Sequence, residues 1–404
     1  MMPAQHQSPN PAEAVKAFLV CPGLGHVRRG YESFTQECFD VLRDRPELEL
    51  TLYKGAGENE PRVKVLPVLR RQSNAARWLS AIVGQGPFFA EALSFSLQLI
   101  GQVAWHRPSV VYYSDYPVGQ VLWYWRKLTG ARFALLFCNG APLEGALRHC
   151  DHIHQCVPAM YDKAIQGGQP RETMTLLPQG FHTPATLDLP TAEQKRAIRL
   201  RHGLPPDARI LLSVGMLTAV HKRMDYVIRE VAAVEPSIRP FLLLLGQRDA
   251  DTPAIEQLAM RELGPDGCKL MTVKREQMDD FYAAADCFTL GSLAEGFGRV
   301  QCEAMAHGLT CLANDCPPAK YVLGDAGKLA NFTQPGALAG LVRAEFLSPP
   351  KQADRERIHR SVRDRFSWTV LAEEYSRMIR RCAHPSMAAA QLPNVDPTEA
   401  LGAN

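Results

Sequence analysis

Net charge is nearly absent from this sequence: 45 Lys and Arg stand against 42 Asp and Glu in 404 residues, a formal balance of +3. Long runs of one sign are missing too, so nothing supplies the basic stripe that tracks a phosphate backbone, and no nucleic-acid partner is expected. The stretch before about Val15 is rich in Pro, Gln and Ala without an apolar core, which argues against a secretion signal there. The most apolar segment, Pro87 to Trp105, is interrupted by Glu91, Ser94, Ser96, Gln98 and Gln102. It is too polar for a comfortable membrane span and is expected to be a helix buried on most sides. The chain is expected in the cytoplasm, with peripheral contact at the inner face of a membrane as a second reading.

Cysteine is present without a disulfide framework. Eleven cysteines, an odd number scattered through apparent strands and helices, are expected to be reduced and mostly buried. Cys150, His152, His154 and Cys156 alternate, which on a strand puts them on one face. A strand spreads such a set over roughly 20 Å, however, whereas zinc ligands converge to about 2.0–2.3 Å of one ion. A buried strand is therefore expected here, and no metal site.

What the sequence does have is alternation of apolar strand-like runs with helix-like segments. Strands are expected at Lys16 to Cys21, Leu48 to Tyr53, Ser109 to Ser114 and Phe133 to Phe137, with a helix from about Tyr31 to Arg43. After a proline-rich stretch from Thr183 to Asp207 the pattern restarts with Ile210 to Val214, Phe241 to Leu245, Leu270 to Val273, Cys287 to Leu290 and Thr310 to Ala313. Helical periodicity lies between them, at Asp225 to Val234, Pro253 to Glu262, Met278 to Ala285 and Arg299 to His307. Such a tandem implies an α/β protein with two doubly wound, Rossmann-like domains facing a central cleft.

The chemistry-bearing stretch runs from Ser292 to Gly308 (SLAEGFGRVQCEAMAHG), following a strand and opening a helix. Gly296 and Gly298 let a ligand approach the backbone beside Glu295. The helix start offers amides and a partial positive charge, a seat for a diphosphate. Glu303 lies further along the helix, so two acids would bind hydroxyls on either side of that seat.

Glu295 and Glu303, with seven residues between them in EGFG…EAMAHG, resemble the retaining nucleotide-sugar glycosyltransferases of GT-B fold, the glycosyl transferases group 1. Asp279 to Ser292, Leu312 to Ala326, the inter-domain Pro178 to His182 and the closing helix around Val370 to Met378 resemble the same family. The likeness is strong from about Ile210 to Val342 and loose before it. It implies an N-terminal acceptor domain over 16–185, a linker over 186–207, a nucleotide-sugar-binding domain over 208–365 and a helix over 366–382 crossing back. Tails over 1–15 and 383–404 are expected to be disordered.

The resemblance also implies roles. Glu295 and the amides of Gly296, Phe297 and Gly298 would meet the donor sugar and diphosphate, Glu303 the ribose, and Val273 the donor. Lys222 falls at the family's diphosphate-binding Lys, but the family's Arg position is occupied by Met216, leaving Arg223 as the nearest substitute, with Arg28 or Arg29 from the other domain as further ones. Gly23 and Gly25 resemble the glycine-rich loop of the first domain. The family's sugar-side histidine is missing at Phe137 to Gly140, where Asn139 stands, and His26 is the alternative. No cofactor or metal is implied beyond the nucleotide sugar, UDP- or GDP-linked, as co-substrate; Asp249 and Asp251 match an Asp-x-Asp in letters but sit in a helix-entry loop. The acceptor would be a glycan, lipid or small molecule. A sugar-nucleotide or glycan-binding protein whose catalysis has weakened is the rival reading. A lipid-facing surface built from Val121 to Trp125 and the Pro87 to Trp105 segment is a further expectation.

Overall fold

The structure is a computed structural model. It describes residues 14–384, apart from 28, 72, 77, 79–85, 141–142 and 144–146. It forms two compact units: residues up to Gly180 together with those from Trp368, and Phe181–Ser367.

The first unit holds a seven-stranded sheet of β1 (Val15–Cys21), β2 (Leu48–Lys54), β3 (Val63–Val65), β4 (Val110–Tyr113), β5 (Ala134–Asn139), β6 (His152–Gln155) and β7 (Met174–Leu176). Their order is β3-β2-β1-β4-β5-β6-β7, and every pairing is parallel. VVYY and LLFCN read as continuous apolar runs because helices cover both faces of the sheet, leaving no solvent side to alternate toward. The covering helices are α1 (Gly30–Leu42), α2 (Pro87–His106), α3 (Tyr116–Thr129) and α4 (Pro158–Gln166).

In α2, Ala92, Phe95, Leu99 and Val103 recur at helical spacing and pack on Phe18, Val20 and Val111 of the sheet. Its other side is open: Leu97 and Trp105 are 61 and 84% exposed. The segment expected to be buried on most sides is thus a one-faced covering helix: of its polar interruptions Gln98 is exposed and Ser94 and Gln102 half-buried, while Glu91 and Ser96 are buried. Among the described residues no helix is long and apolar enough to cross a membrane.

The second unit repeats the plan with β8 (Ile210–Val214), β9 (Phe241–Leu245), β10 (Cys268–Met271), β11 (Cys287–Leu290), β12 (Thr310–Asn314) and β13 (Lys328–Ala330), ordered β10-β9-β8-β11-β12-β13, all parallel. Its helices are α5 (Ala192–Arg201), α6 (Met224–Ala232), α7 (Thr252–Leu263), α8 (Met278–Ala284), α9 (Arg299–Ala306), α10 (Pro317–Leu323), α11 (Ala337–Leu347) and α12 (Gln352–Phe366). The proline-rich stretch contributes α5, which opens on a capping box between Thr191 and Gln194 and is fastened by Lys195 and Arg199 to Asp286.

The last helix, α13 (Trp368–Ala383), belongs to the first unit. Tyr375 donates to the Pro178 carbonyl at 2.8 Å, Ser376 donates to Glu47, and Trp368 stacks on Phe34. All eleven cysteines are free thiols; Cys150 and Cys316 are half-buried and the others buried.

Candidate functional site

In each sheet the strand order reverses once, between β1 and β4 and between β8 and β11. The chain leaves the two strands of such a pair toward opposite faces, so their carboxyl ends flank a natural ligand crevice. In the second unit the loops leaving that point are residues 215–223 and 291–298, which carry Lys222 and Glu295.

The two side chains meet there. Lys222 Nζ donates to Glu295 Oε1 at 2.6 Å, with side chains 18 and 15% exposed. The lysine stem lies over Gly215, where an added Cβ would come within 3.0 Å of it. Glu295 and Gly296 are half-buried, and the chain then dives inward. Phe297 is buried with its ring edge-on to Phe366, so its side chain packs and only its backbone faces the loop. Gly298, at φ +86°, caps α9 in the left-handed region, and a Cβ there would strike the Gln301 side chain. Helix α9 thus starts shortly after Glu295 in the chain; a helix's first amides lack intrahelical acceptors, and here that of Gln301 donates to the Gly298 carbonyl at 2.9 Å. Asn314 braces the loop, donating to the Leu293 carbonyl at 2.8 Å and accepting from Phe332 N–H at 2.9 Å.

Glu303, on α9, is held separately. Its carboxylate accepts from Arg275 Nη1 at 2.8 Å and from the Tyr282 hydroxyl at 2.9 Å. Burial, with the Glu303 charge, pushes the Tyr282 phenol well above its ordinary range, so it stays a donor. Val273 is half-buried in the loop after β10, beside Thr272, which donates to the Gly246 carbonyl at 2.7 Å.

Arg223 takes the left-handed conformation (φ +49°) and lays its guanidinium over the Tyr226 ring at 4.2 Å. Its Nη1 donates to the Phe332 carbonyl at 3.2 Å. Met216 is 38% exposed. Asp251 accepts from the Thr218 hydroxyl at 2.8 Å, which ties the 217–220 loop to the entry of α7.

In the first unit the turn after β1 carries Gly23, Gly25 and His26. Gly25 has φ +97°, and a Cβ there would lie 2.2 Å from the Ala56 carbonyl oxygen. His26 Nε2 is 3.3 Å from Glu91 Oε2, while its buried Nδ1 has no partner among the described residues. Glu91, 1% exposed, also accepts from Arg71 Nη2 at 2.5 Å and from the Arg71 backbone N–H. Burial raises the pKa of this carboxyl, but the bonds from His26 and Arg71 outweigh it and hold the value at about 2. Nearby, Arg29 donates to Glu32, and Asp115 after β4 is pushed up to about 6 by burial. Asn139 donates to Gln155 Oε1 at 2.9 Å and to the Leu143 carbonyl at 3.0 Å, and its buried Oδ1 has no partner among the described residues. Arg28 lies outside the described residues.

Sequence reasoning missed Arg275 and Tyr282, the partners of Glu303, and the buried carboxyls Glu32, Glu91 and Asp115 with the half-buried Arg71. Tertiary packing brings Arg275 and Tyr282 to Glu303 and Arg71 to Glu91, whereas Glu32 meets Arg29 locally, three residues away. The one available signal was a run of ionisable residues inside otherwise apolar elements, such as Glu91 in α2.

Residues 208–344 match the family model described as Glycosyl transferases group 1. The D-inositol 3-phosphate glycosyltransferase 2 of Catenulispora acidiphila is 31% identical over 201 residues, 46% of this chain and 47% of that protein. The mannosylfructose-phosphate synthase of Agrobacterium fabrum is 30% identical over 171 residues, 40% of this chain and 37% of that one. The chain thus spans about half the length, or less, of the curated relatives it matches. Two solved structures share the whole fold at 17% identity. Sucrose-phosphate synthase from Thermosynechococcus elongatus covers 93% of this chain and 100% of its own, with a TM-score of 0.75. Anabaena HepE in complex with UDP and glucose covers 90% and 99%, with a TM-score of 0.72. Residues 208–344 are therefore a domain of the glycosyl transferases group 1 family, within a chain of two Rossmann-like α/β units in the GT-B fold.

Proposed function

We propose that this protein is a glycosyltransferase that moves a hexosyl group from a nucleotide-diphosphate sugar to an acceptor hydroxyl, with retention at the anomeric carbon and without a metal. The observation that carries the reading is the 2.6 Å Lys222–Glu295 pair at the strand-order switch of the second unit, beside the start of α9. Lys222 neutralises charge as the diphosphate departs, and the α9 amides and helix dipole add to it. Glu295 turns to the sugar once phosphate takes over the lysine. Glu303, held from two sides, takes the ribose hydroxyls, with the Val273 loop beside it. HepE was solved with UDP and glucose, which favours a UDP-linked donor over a GDP-linked one.

The acceptor does not follow from the relatives, because the family match falls on 208–344 and the first unit lies outside it. The polar set around His26, Glu91 and Asp115 and the buried Asn139 Oδ1 are the acceptor-side groups in this reading. Peripheral membrane contact is assigned to the outer sides of α2 and α3, where Trp105, Leu97, Leu128 and Tyr124 are 84, 61, 87 and 55% exposed.

Met216 at the position of a second cation, and Arg223 engaged with Tyr226 and Phe332, favour one rival, a protein that binds the nucleotide sugar and turns it over feebly. A thermal-shift panel of UDP, GDP and ADP sugars, followed by donor hydrolysis on the compound that binds, separates the two. Binding with nucleotide release supports the transferase; binding without release supports the rival; no binding by any nucleotide sinks both.

A further inference from the structure

The alternating residues of β6 cannot surround an ion from one strand, but the neighbouring strand supplies what is missing. β5 pairs with β6 with Cys138 opposite His154, and Cys156 follows two residues on. Cys138 Sγ lies 3.9 Å from Cys156 Sγ, and Cys156 Sγ lies 3.9 Å from His154 Nε2. The three donor atoms all fall within 4.8 Å of one another, and all three residues have 0% exposure.

We propose that Cys138, His154 and Cys156 bind a zinc ion with the Leu177 carbonyl as fourth ligand, a structural site in the first unit separate from the sugar-transfer chemistry. Zinc bonds of about 2.3 Å to sulfur and 2.0 Å to nitrogen put tetrahedral donors roughly 3.5–3.8 Å apart, close to the spacing already present. The histidine is oriented as a metal ligand is: the Tyr112 hydroxyl sits 2.7 Å from Nδ1, fixing the ring. Nε2 lies 2.6 Å from the Leu177 carbonyl oxygen, so the proton between them marks where a cation would enter.

The proton balance follows. Both thiols lose their protons to solvent and become thiolates. His154 remains neutral, its proton moving from Nε2 to Nδ1, where it is donated to the Tyr112 oxygen. The Leu177 carbonyl, released from Nε2, turns to the ion. Two thiolates and Zn²⁺ sum to zero charge, which a fully buried site requires; a monovalent cation would leave an unbalanced negative charge in the interior. The ion would join β5, β6 and the segment after β7, so it binds the folded chain and stabilises it.

The test uses the full chain, purified under reducing conditions and stripped with a chelator. Zinc should return to it at one equivalent and raise Tm, and cobalt in its place should give the near-ultraviolet thiolate-to-metal band. C138S and C156S should each weaken the band and lose most of the zinc affinity. Y112F should lose about tenfold, while C150S, outside the cluster, should bind as the parent does. A stripped, reduced parent protein with no cobalt–thiolate band and no zinc-dependent rise in Tm overturns the proposal without recourse to any variant. So does full zinc binding by a folded C138S or C156S.

Discussion

Tyr282 and Glu303 stand 21 residues apart and meet through a 2.9 Å hydrogen bond, with Arg275 holding the same carboxylate at 2.8 Å. The carboxylate is thereby fixed before any ligand arrives, so binding loses little side-chain entropy. E303A should weaken nucleotide binding strongly. Y282F removes one hydrogen bond to a charged group, worth about 1.5–3 kcal/mol, and should weaken binding by at least about tenfold. Titration of UDP into both variants checks this; wild-type affinity in E303A would place the ribose elsewhere.

Lys222 should act on turnover more than on binding. If it stabilises charge that develops only as the diphosphate leaves, K222A should reduce kcat by about 10²–10³-fold. Donor KM should change far less if, as proposed, the α9 amides also hold the phosphates. Steady-state kinetics decide it, and unchanged kcat removes Lys222 from the leaving-group site.

Much of this arrangement was legible in the sequence because it is local. β8, β9 and β11 read as short buried apolar runs, and the Glu295–Glu303 stretch carries its own glycines, strand exit and helix start. What escaped was set by partners distant in sequence. β3, β7 and β13 have only three residues each, too few for a periodic signal, and form because longer strands offer them an edge. The convergence of Cys138 with His154 and Cys156 depends on the β5–β6 register, which no pattern within β6 reveals. The one-faced character of α2 was hidden by its many apolar residues, which serve a sheet on one side and face solvent on the other.

Two buried carboxyls of the first unit should give opposite slopes of stability with pH. Glu91 is depressed from 4.5 to about 2, so its contribution is present above pH 4.5 and is lost as pH falls toward 2. Asp115 is raised from 3.8 to about 6, so its contribution is complete below pH 3.8 and is lost as pH rises through 6. D115N should remove a loss on the order of 3 kcal/mol between those limits, and E91Q should flatten the acid limb. Denaturant titrations from pH 3 to pH 7 (roughly the span over which carboxyls titrate) test both; parallel profiles in parent and variants would refute the assignments.

The outer sides of α2 and α3 offer a last test. Trp105 and Leu128 are exposed, and exposed cations lie close to them in sequence, Arg107 after Trp105 and Lys127 before Leu128. A headgroup region rewards that pairing: aromatic and aliphatic groups enter the acyl boundary while Lys and Arg meet anionic phosphates, at about 1 kcal/mol per cation. The full chain should therefore sediment with vesicles of anionic phospholipid more than with neutral ones. The excess should shrink in high salt, which screens the cations but leaves the apolar contacts. W105A combined with L128A should abolish sedimentation while leaving Tm nearly unchanged, because neither side chain contributes to the core. Equal recovery with neutral and anionic vesicles, or retention by the double variant, would show that these residues are ordinary solvent-facing positions on two covering helices.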